Sequence, residues 1–147
     1  MHASDFFTPD ERKSIMQAIE SAEMNTSGEI RVHIEDSFNG ELCDRAATLF
    51  ARLSMHKTEL RNGVLFYLAL NKRQFAVIGD AGINKVVPPT FWSDIKTAME
   101  SDFKNSRFSE GLSKGIHMAG DQLKLHFPYK TGDTNELPND ISFGKGE

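Results

Sequence analysis

The chain has a single cysteine, Cys43, one tryptophan, five prolines and no excess of positive charge. One cysteine excludes an intrachain disulfide, and nothing in the sequence demands an oxidising compartment. Lysine and arginine number 17 against 21 acids, a formal charge of -4. The basic residues are scattered, which argues against the basic stripe of a nucleic-acid groove, so no nucleic-acid partner is expected. No apolar run approaches the roughly 18 residues of a membrane span. Met1-His2-Ala3-Ser4-Asp5 carries neither a basic n-region nor an apolar h-region, and the expectation is a cytoplasmic domain without a membrane segment. No internal repeat is visible. The 147 residues, 39% hydrophobic and 26% charged, suit one globular domain able to bury about two-thirds of its unfolded surface.

The most informative stretch runs from Arg61 to Asn84. The apolar run Val64–Leu70, bounded by turn residues and short for a helix, reads as a strand covered on both faces. Asn71-Lys72-Arg73 is a tight reversal, so Gln74–Ile78 becomes its antiparallel partner. Gly79-Asp80-Ala81-Gly82 then leaves the sheet where Asn62-Gly63 entered it.

Thr8-Pro9-Asp10-Glu11 combines a capping side chain, proline at the first helical position and acids in the first turn. Ile15, Ile19 and Ala22 continue that helix to about Met24. Glu29-Ile30-Arg31-Val32-His33-Ile34-Glu35 alternates with period two, which predicts a strand with one partly wet face, toward a sheet edge. Leu42, Ala46, Leu49, Phe50 and Leu53 recur at helical spacing, and strand, helix, strand in that order favours a right-handed parallel crossover. A short helical piece over Ile83–Val87 precedes Pro88-Pro89; longer helices follow over Thr90–Lys104 and Phe108–His126. The domain is expected over 1–128. Residues 129–147, with Leu137, Ile141 and Phe143 as sparse anchors, read as a removable tail of loop or disorder.

This topology brings Ser27-Gly28-Glu29, Arg61-Asn62-Gly63 and Gly79-Asp80-Ala81-Gly82-Ile83-Asn84 to one rim. Glu29 and Asp80, with an amide oxygen from Asn84 or Asn62 and free carbonyls, make a hard-oxygen set suited to calcium or magnesium and not to zinc. Gly28, Gly79 and Gly82 permit close backbone approach, and Arg61 supplies a complementary charge. The alternative is that these are turn residues, with Glu29 facing Arg31 or Arg61.

Taken together, Ser27-Gly28-Glu29-Ile30-Arg31-Val32, Asn62-Gly63-Val64-Leu65, Gly79-Asp80-Ala81-Gly82-Ile83 and the run Phe103–Ile116 resemble the TPM domain family. That family is named for a thylakoid lumen protein of photosystem II repair and a worm acetylcholine-receptor modulator. The resemblance spans Thr8 to Leu125. It implies a three-layer α/β/α sandwich of Rossmann-like appearance, a small mixed sheet of about four strands with a central antiparallel hairpin, and helices on both faces. It also implies divalent-cation binding and, from a plant member, acid phosphatase activity. Where relatives carry Gly-aromatic-Gly followed by Leu-Glu, this chain has Asp80 at the usual glycine and Asn84 at the usual glutamate.

Other chemistry recedes. Leu49 stands where a cysteine phosphatase places the arginine of its phosphate loop after the nucleophile, here Cys43. Asp36-Ser37-Phe38-Asn39-Gly40 lacks the glycines of a dinucleotide turn. His33, His56, His117 and His126 contain no helical metal pair and read as surface or boundary residues. Asp133–Asp140 begins like a calcium loop but lacks its glycine and final glutamate. Trp92, beside Phe91, reads as core. Two functions stay open: a non-catalytic cation-binding module acting through a protein partner, and a metal-assisted phosphomonoesterase.

Overall fold

The computed structural model describes residues 2–129 and 141–146. Helix α1, Pro9–Glu23, starts on the expected signals: Thr8 Oγ1 accepts from the Glu11 amide, and Glu11 Oε1 accepts from the Thr8 amide. Such a reciprocal cap satisfies two donors that a helix start otherwise leaves orphaned. Strand β1, Glu29–Glu35, follows, then α2, Leu42–Arg52, and β2, Gly63–Ala69. The reversal at Asn71–Arg73 leads into β3, Gln74–Gly79. Helix α3 spans Ala81–Asn84, slightly earlier than the pattern predicted, because Asp80 caps it through the Ala81 amide. Helix α4, Phe91–Phe103, and α5, Phe108–His126, complete the helices, and β4 is Ile141–Gly144.

The sheet runs β3-β2-β1-β4, parallel between β1 and β2 and between β1 and β4, antiparallel between β2 and β3. The expected mixed sheet and parallel crossover are present, with helices on both faces. Ile30, Val32 and Ile34 with Val64, Phe66 and Leu68 pack against α1, α4 and α5. On the opposite face Leu65, Tyr67 and Ala69 meet Ala46, Leu49 and Phe50 of α2, closed by Met55.

Two expectations need correction. The central pair is β1–β2, and the hairpin occupies one side of the sheet. Strand β1 is interior, because Ile141–Gly144, read as part of a loop tail, adds to its far side. Ile141 is buried and Phe143 packs against the larger core; Arg12 lies 4.9 Å from the Phe143 ring centroid. Most of the alternating face of β1 is buried: Glu29, His33 and Glu35 are 2%, 6% and 1% exposed, and Arg31 is partly buried. The calcium-loop resemblance at Asp133–Asp140 lies outside the described residues.

Helix α5 approaches its neighbours through glycines. A Cβ at Gly120 would lie 2.6 Å from the Ala22 Cβ, and one at Gly115 would lie 2.6 Å from the Met99 sulfur.

A chain ending at Tyr129 loses β4, exposing Ile141 and Phe143 contacts and leaving the β1 ladder open. Its unfolding free energy is expected to fall by more than about 2 kcal/mol. Urea melts of the two lengths check this, and equal midpoints would contradict the docking of β4.

Candidate functional site

The three segments expected at one rim do meet there: Glu29 stands opposite Gly63, and Val64 opposite Gly79. Their polar side chains divide into two groups. Asp80 is 6% exposed and accepts from Arg61 Nε at 2.6 Å and Nη2 at 2.8 Å, while its Oδ1 also accepts from the Ala81 amide at 2.8 Å. A bidentate guanidinium plus a helix cap fill most acceptor positions of one carboxylate. The Asp80 hydrogen bond, followed by its charge, raises the pKa of Arg61 above its already high value. Asn84 is similarly committed: Nδ2 donates to the Gly79 carbonyl at 2.8 Å, and Oδ1 accepts from Trp92 Nε1 at 2.9 Å.

The glycines at this rim serve packing. A Cβ at Gly82 would collide with the carbonyls of Leu60 and Arg61, one at Gly79 with the Trp92 ring, and one at Gly28 with Leu123. Arg61 itself takes the left-handed conformation, φ 52, which carries the chain around this close approach.

The second group gathers around Glu29 and includes a residue the sequence reading passed over. Glu23, on the last turn of α1, accepts from the Ile30 amide at 2.8 Å. This occurs on the side of β1 that β4 leaves uncovered, since β4 pairs only from Val32 onward. Burial is the main reason that the Glu23 pKa rises to about 8; the Ile30 hydrogen bond opposes it, and the charge of Glu29 and a carboxyl–carboxylate hydrogen bond to it add to the rise. Asn62, 1% exposed, adjoins the pair through its carbonyl, which accepts from the Glu29 amide at 3.4 Å. Its Nδ2 donates to Ser27 Oγ at 3.3 Å, while Oδ1 accepts no hydrogen bond among the described residues. Glu20 and Glu23 close a helix whose last turn has no basic residue. Acids facing the negative end of a helix dipole were the available signal for Glu23. Among the described residues no three His, Cys, Asp or Glu side chains form a metal cluster, so a cation here would also need neutral oxygens.

At the other end of β1, Glu35 is the centre of a buried network. It accepts from Arg45 Nε at 3.1 Å and from Arg45 Nη2, and from the Tyr67 hydroxyl at 2.6 Å. His33 Nε2 lies 3.3 Å from Glu35 Oε1, and His33 Nδ1 lies 2.6 Å from Ser142 Oγ. Burial alone would raise the Glu35 pKa, but the Arg45 and Tyr67 hydrogen bonds and the Arg45 charge outweigh it and lower the value. Burial lowers the pKa of His33, with Glu35 opposing. His33 is therefore an interior strand residue and not the surface or boundary residue expected.

The sequence profile of the TPM domain matches residues 1–122. Among solved structures, the chain is similar to the BA42 protein of the psychrophilic bacterium Bizionia argentinensis, with TM-score 0.88 and 46% identity over 95% of this chain and 97% of that one. The N-terminal domain of a P. gingivalis protein aligns with TM-score 0.72 and 19% identity, covering 86% of this chain and 84% of that one. For the N-terminal domain of the cg2496 protein of Corynebacterium glutamicum the values are 0.64, 13%, 80% and 74%. The last two likenesses concern the fold alone. A search of curated proteins found no significant match.

The two carboxylate centres give separate expectations. Glu23 titrates near 4.5 when unfolded and about 8 when folded. Between those values the folded state holds a proton that the unfolded chain lacks, so this group makes stability fall as pH rises through the interval. Glu23→Gln should remove that slope, which stability curves at several pH values will reveal; an unchanged slope would exclude the protonated Glu23. Glu35→Gln leaves Arg45 with no compensating charge and should cost about 3 kcal/mol in denaturant melts at neutral pH. A loss under about 1 kcal/mol would demote the network to a minor contact.

Proposed function

This chain belongs to the TPM domain family, and from that premise we propose that it is a non-catalytic binding module that takes up calcium or magnesium at Glu23, Glu29 and Asn62 and acts through contacts with another protein. The observation that supports this reading is the Glu23–Glu29 carboxyl pair, Glu29 buried and Glu23 partly so, at the strand entry where the Asn62 carbonyl accepts from the Glu29 amide and where Asn62 Oδ1, on a residue 1% exposed, accepts no hydrogen bond among the described residues. Two like carboxyl groups held together favour either a shared proton or a cation. A divalent ion displaces the proton, gains two anionic oxygens and gives the amide oxygen a partner. Ser27 Oγ, already touching Asn62, is a further neutral ligand of the right chemistry.

The expected ligand set thus moves by one layer. Glu29 and Asn62 stay in it; Asp80 and Asn84 are better employed in holding Arg61 and Trp92. In the phosphomonoesterase alternative, Arg61 is the residue that complements the phosphate charge. Its pairing with Asp80 favours the binding module, because a guanidinium already held by a carboxylate must break that contact to clamp a phosphate.

Among the described residues no helix is long and apolar enough to cross a membrane. With two carboxylates and neutral oxygens the affinity should fall at about 10⁻⁵ to 10⁻³ M. It should strengthen as pH rises toward 8, the point about which Glu23 gives up its proton. Calcium and magnesium titrations followed by residue-resolved NMR test this. Shifts should centre on Glu23, Glu29 and Asn62, with Glu23→Gln weakening binding about tenfold or more and Asp80→Asn leaving it nearly unchanged. Shifts centred on Asp80 and Asn84, or an unaltered Glu23→Gln titration, would return the site to the Asp80 group.

A further inference from the structure

A cavity of about 720 Å³ opens at the carboxyl end of β2, between the turn Leu70–Arg73 and the junction of α4 with α5. It lies at the opposite end of the sheet from the Glu23–Glu29 rim, since β2 begins at Gly63 and the cavity floor is Leu68–Leu70. Its volume falls within the roughly 300–1,000 Å³ typical of small-molecule pockets. Crevices outside the carboxyl ends of strands are the usual ligand positions in open α/β sheets.

The walls are aromatic. Phe6 meets Phe108 at 5.1 Å between ring centroids, Phe108 meets Phe103 at 5.4 Å, and Phe103 meets Phe75 at 4.9 Å. All four line the cavity and all are only partly buried. The Phe6–Phe108 and Phe75–Phe103 pairs are edge-to-face and the Phe103–Phe108 pair is tilted, an arrangement that leaves ring edges and faces available to one more aromatic group. An aliphatic chain would gain area alone.

The mouth is charged. Arg73, from the β2–β3 turn, and Lys104, at the end of α4, both line it and both are exposed. Neither side chain has an ion-pair partner among the described residues. Glu100 is the one acid in the lining, so two cations face one anion. Arg73 and Ser106, on the two loops at the mouth, hold left-handed backbones at φ 51 and φ 58. Strain of that kind is retained where surrounding structure or function requires it.

We propose that this cavity binds a small aromatic carboxylate, its ring system among Phe6, Phe75, Phe103 and Phe108 and its carboxylate between Arg73 and Lys104. The ring gains apolar burial and edge contacts. The carboxylate gains a planar bidentate donor from Arg73 and a mobile ammonium from Lys104. This function needs no metal ion and is separate from the cation site.

The test uses 2-naphthoate as the probe, titrated into the full chain in the presence of a chelator and followed by residue-resolved NMR. Saturable shifts should map to Phe75, Phe103, Lys104 and Phe108. The double reversal Arg73→Glu, Lys104→Glu lies on the surface and should keep the melting temperature while weakening binding at least tenfold. Neutral 2-naphthalenemethanol should bind at least tenfold more weakly than 2-naphthoate. Decanoate, an aliphatic acid, should compete poorly. Unsaturable or scattered shifts, equal binding by the charge-reversed chain, or decanoate binding as tightly as 2-naphthoate would each overturn the assignment.

Discussion

The buried carboxylate of Glu35 is the point on which the sheet and its smaller helical layer are registered. It sits at the end of β1 and is held by Arg45 of α2 and Tyr67 of β2, while His33 relays the contact to Ser142 of β4. A carboxylate 1% exposed needs both its opposite charge and its hydrogen-bond donors to remain ionised. The Arg45 and Tyr67 donors come from two other elements, α2 and β2, and His33 on the same strand carries the contact on to β4, so the network is complete only when β1, β2, β4 and α2 stand in one arrangement. A one-residue slip of β4 would turn Ile141 or Phe143 toward His33 and remove the hydroxyl that meets Nδ1, a penalty of the unsatisfied-donor kind.

Around that centre the two faces follow different rules. The larger core joins the sheet to α1, α4 and α5 with aliphatic and aromatic side chains, and α5 comes close because glycines replace side chains at its contacts. The smaller core under α2 is apolar only over β2 and β3, where Leu65, Tyr67 and Ala69 face Leu49 and Phe50. Over β1 the same face is charged. This division explains how a strand with four ionisable residues, Glu29, Arg31, His33 and Glu35, becomes an interior member of the sheet.

Local signals were legible wherever the causes were local. Thr8, Pro9 and Glu11 fixed the start of α1, and the apolar spacing of α5 identified Phe108–His126 because both depend on neighbours within a few residues. The run Val64–Leu70 with its turn identified the hairpin for the same reason. Tertiary partners were not legible. Alternation in β1 is the pattern of a half-wet edge strand, and only the distant Ile141–Gly144 makes it interior. The rim segments were predicted together correctly, yet spacing along the chain could not say that Arg61 turns to Asp80 or that Glu23, on another element, turns to Glu29. Side-chain pairing at such a rim is decided by helix position and depth, neither of which a linear motif encodes.

The pairing of β1 with β4 has a consequence for the order in which this protein is made. His33 and Ser142 are 109 positions apart, so one edge of β1 stays bare from its synthesis until the last strand emerges. Closing so long a loop is slow compared with forming the helices and the hairpin. Throughout that wait, a growing chain presents an open ladder to other growing chains. Glu29, Arg31, His33 and Glu35 place charge or polarity at every second position of that ladder, and inward charge on an unpaired strand is a common defence against edge-to-edge association. The same residues that later hold the sheet in register thus keep the nascent strand from finding the wrong partner.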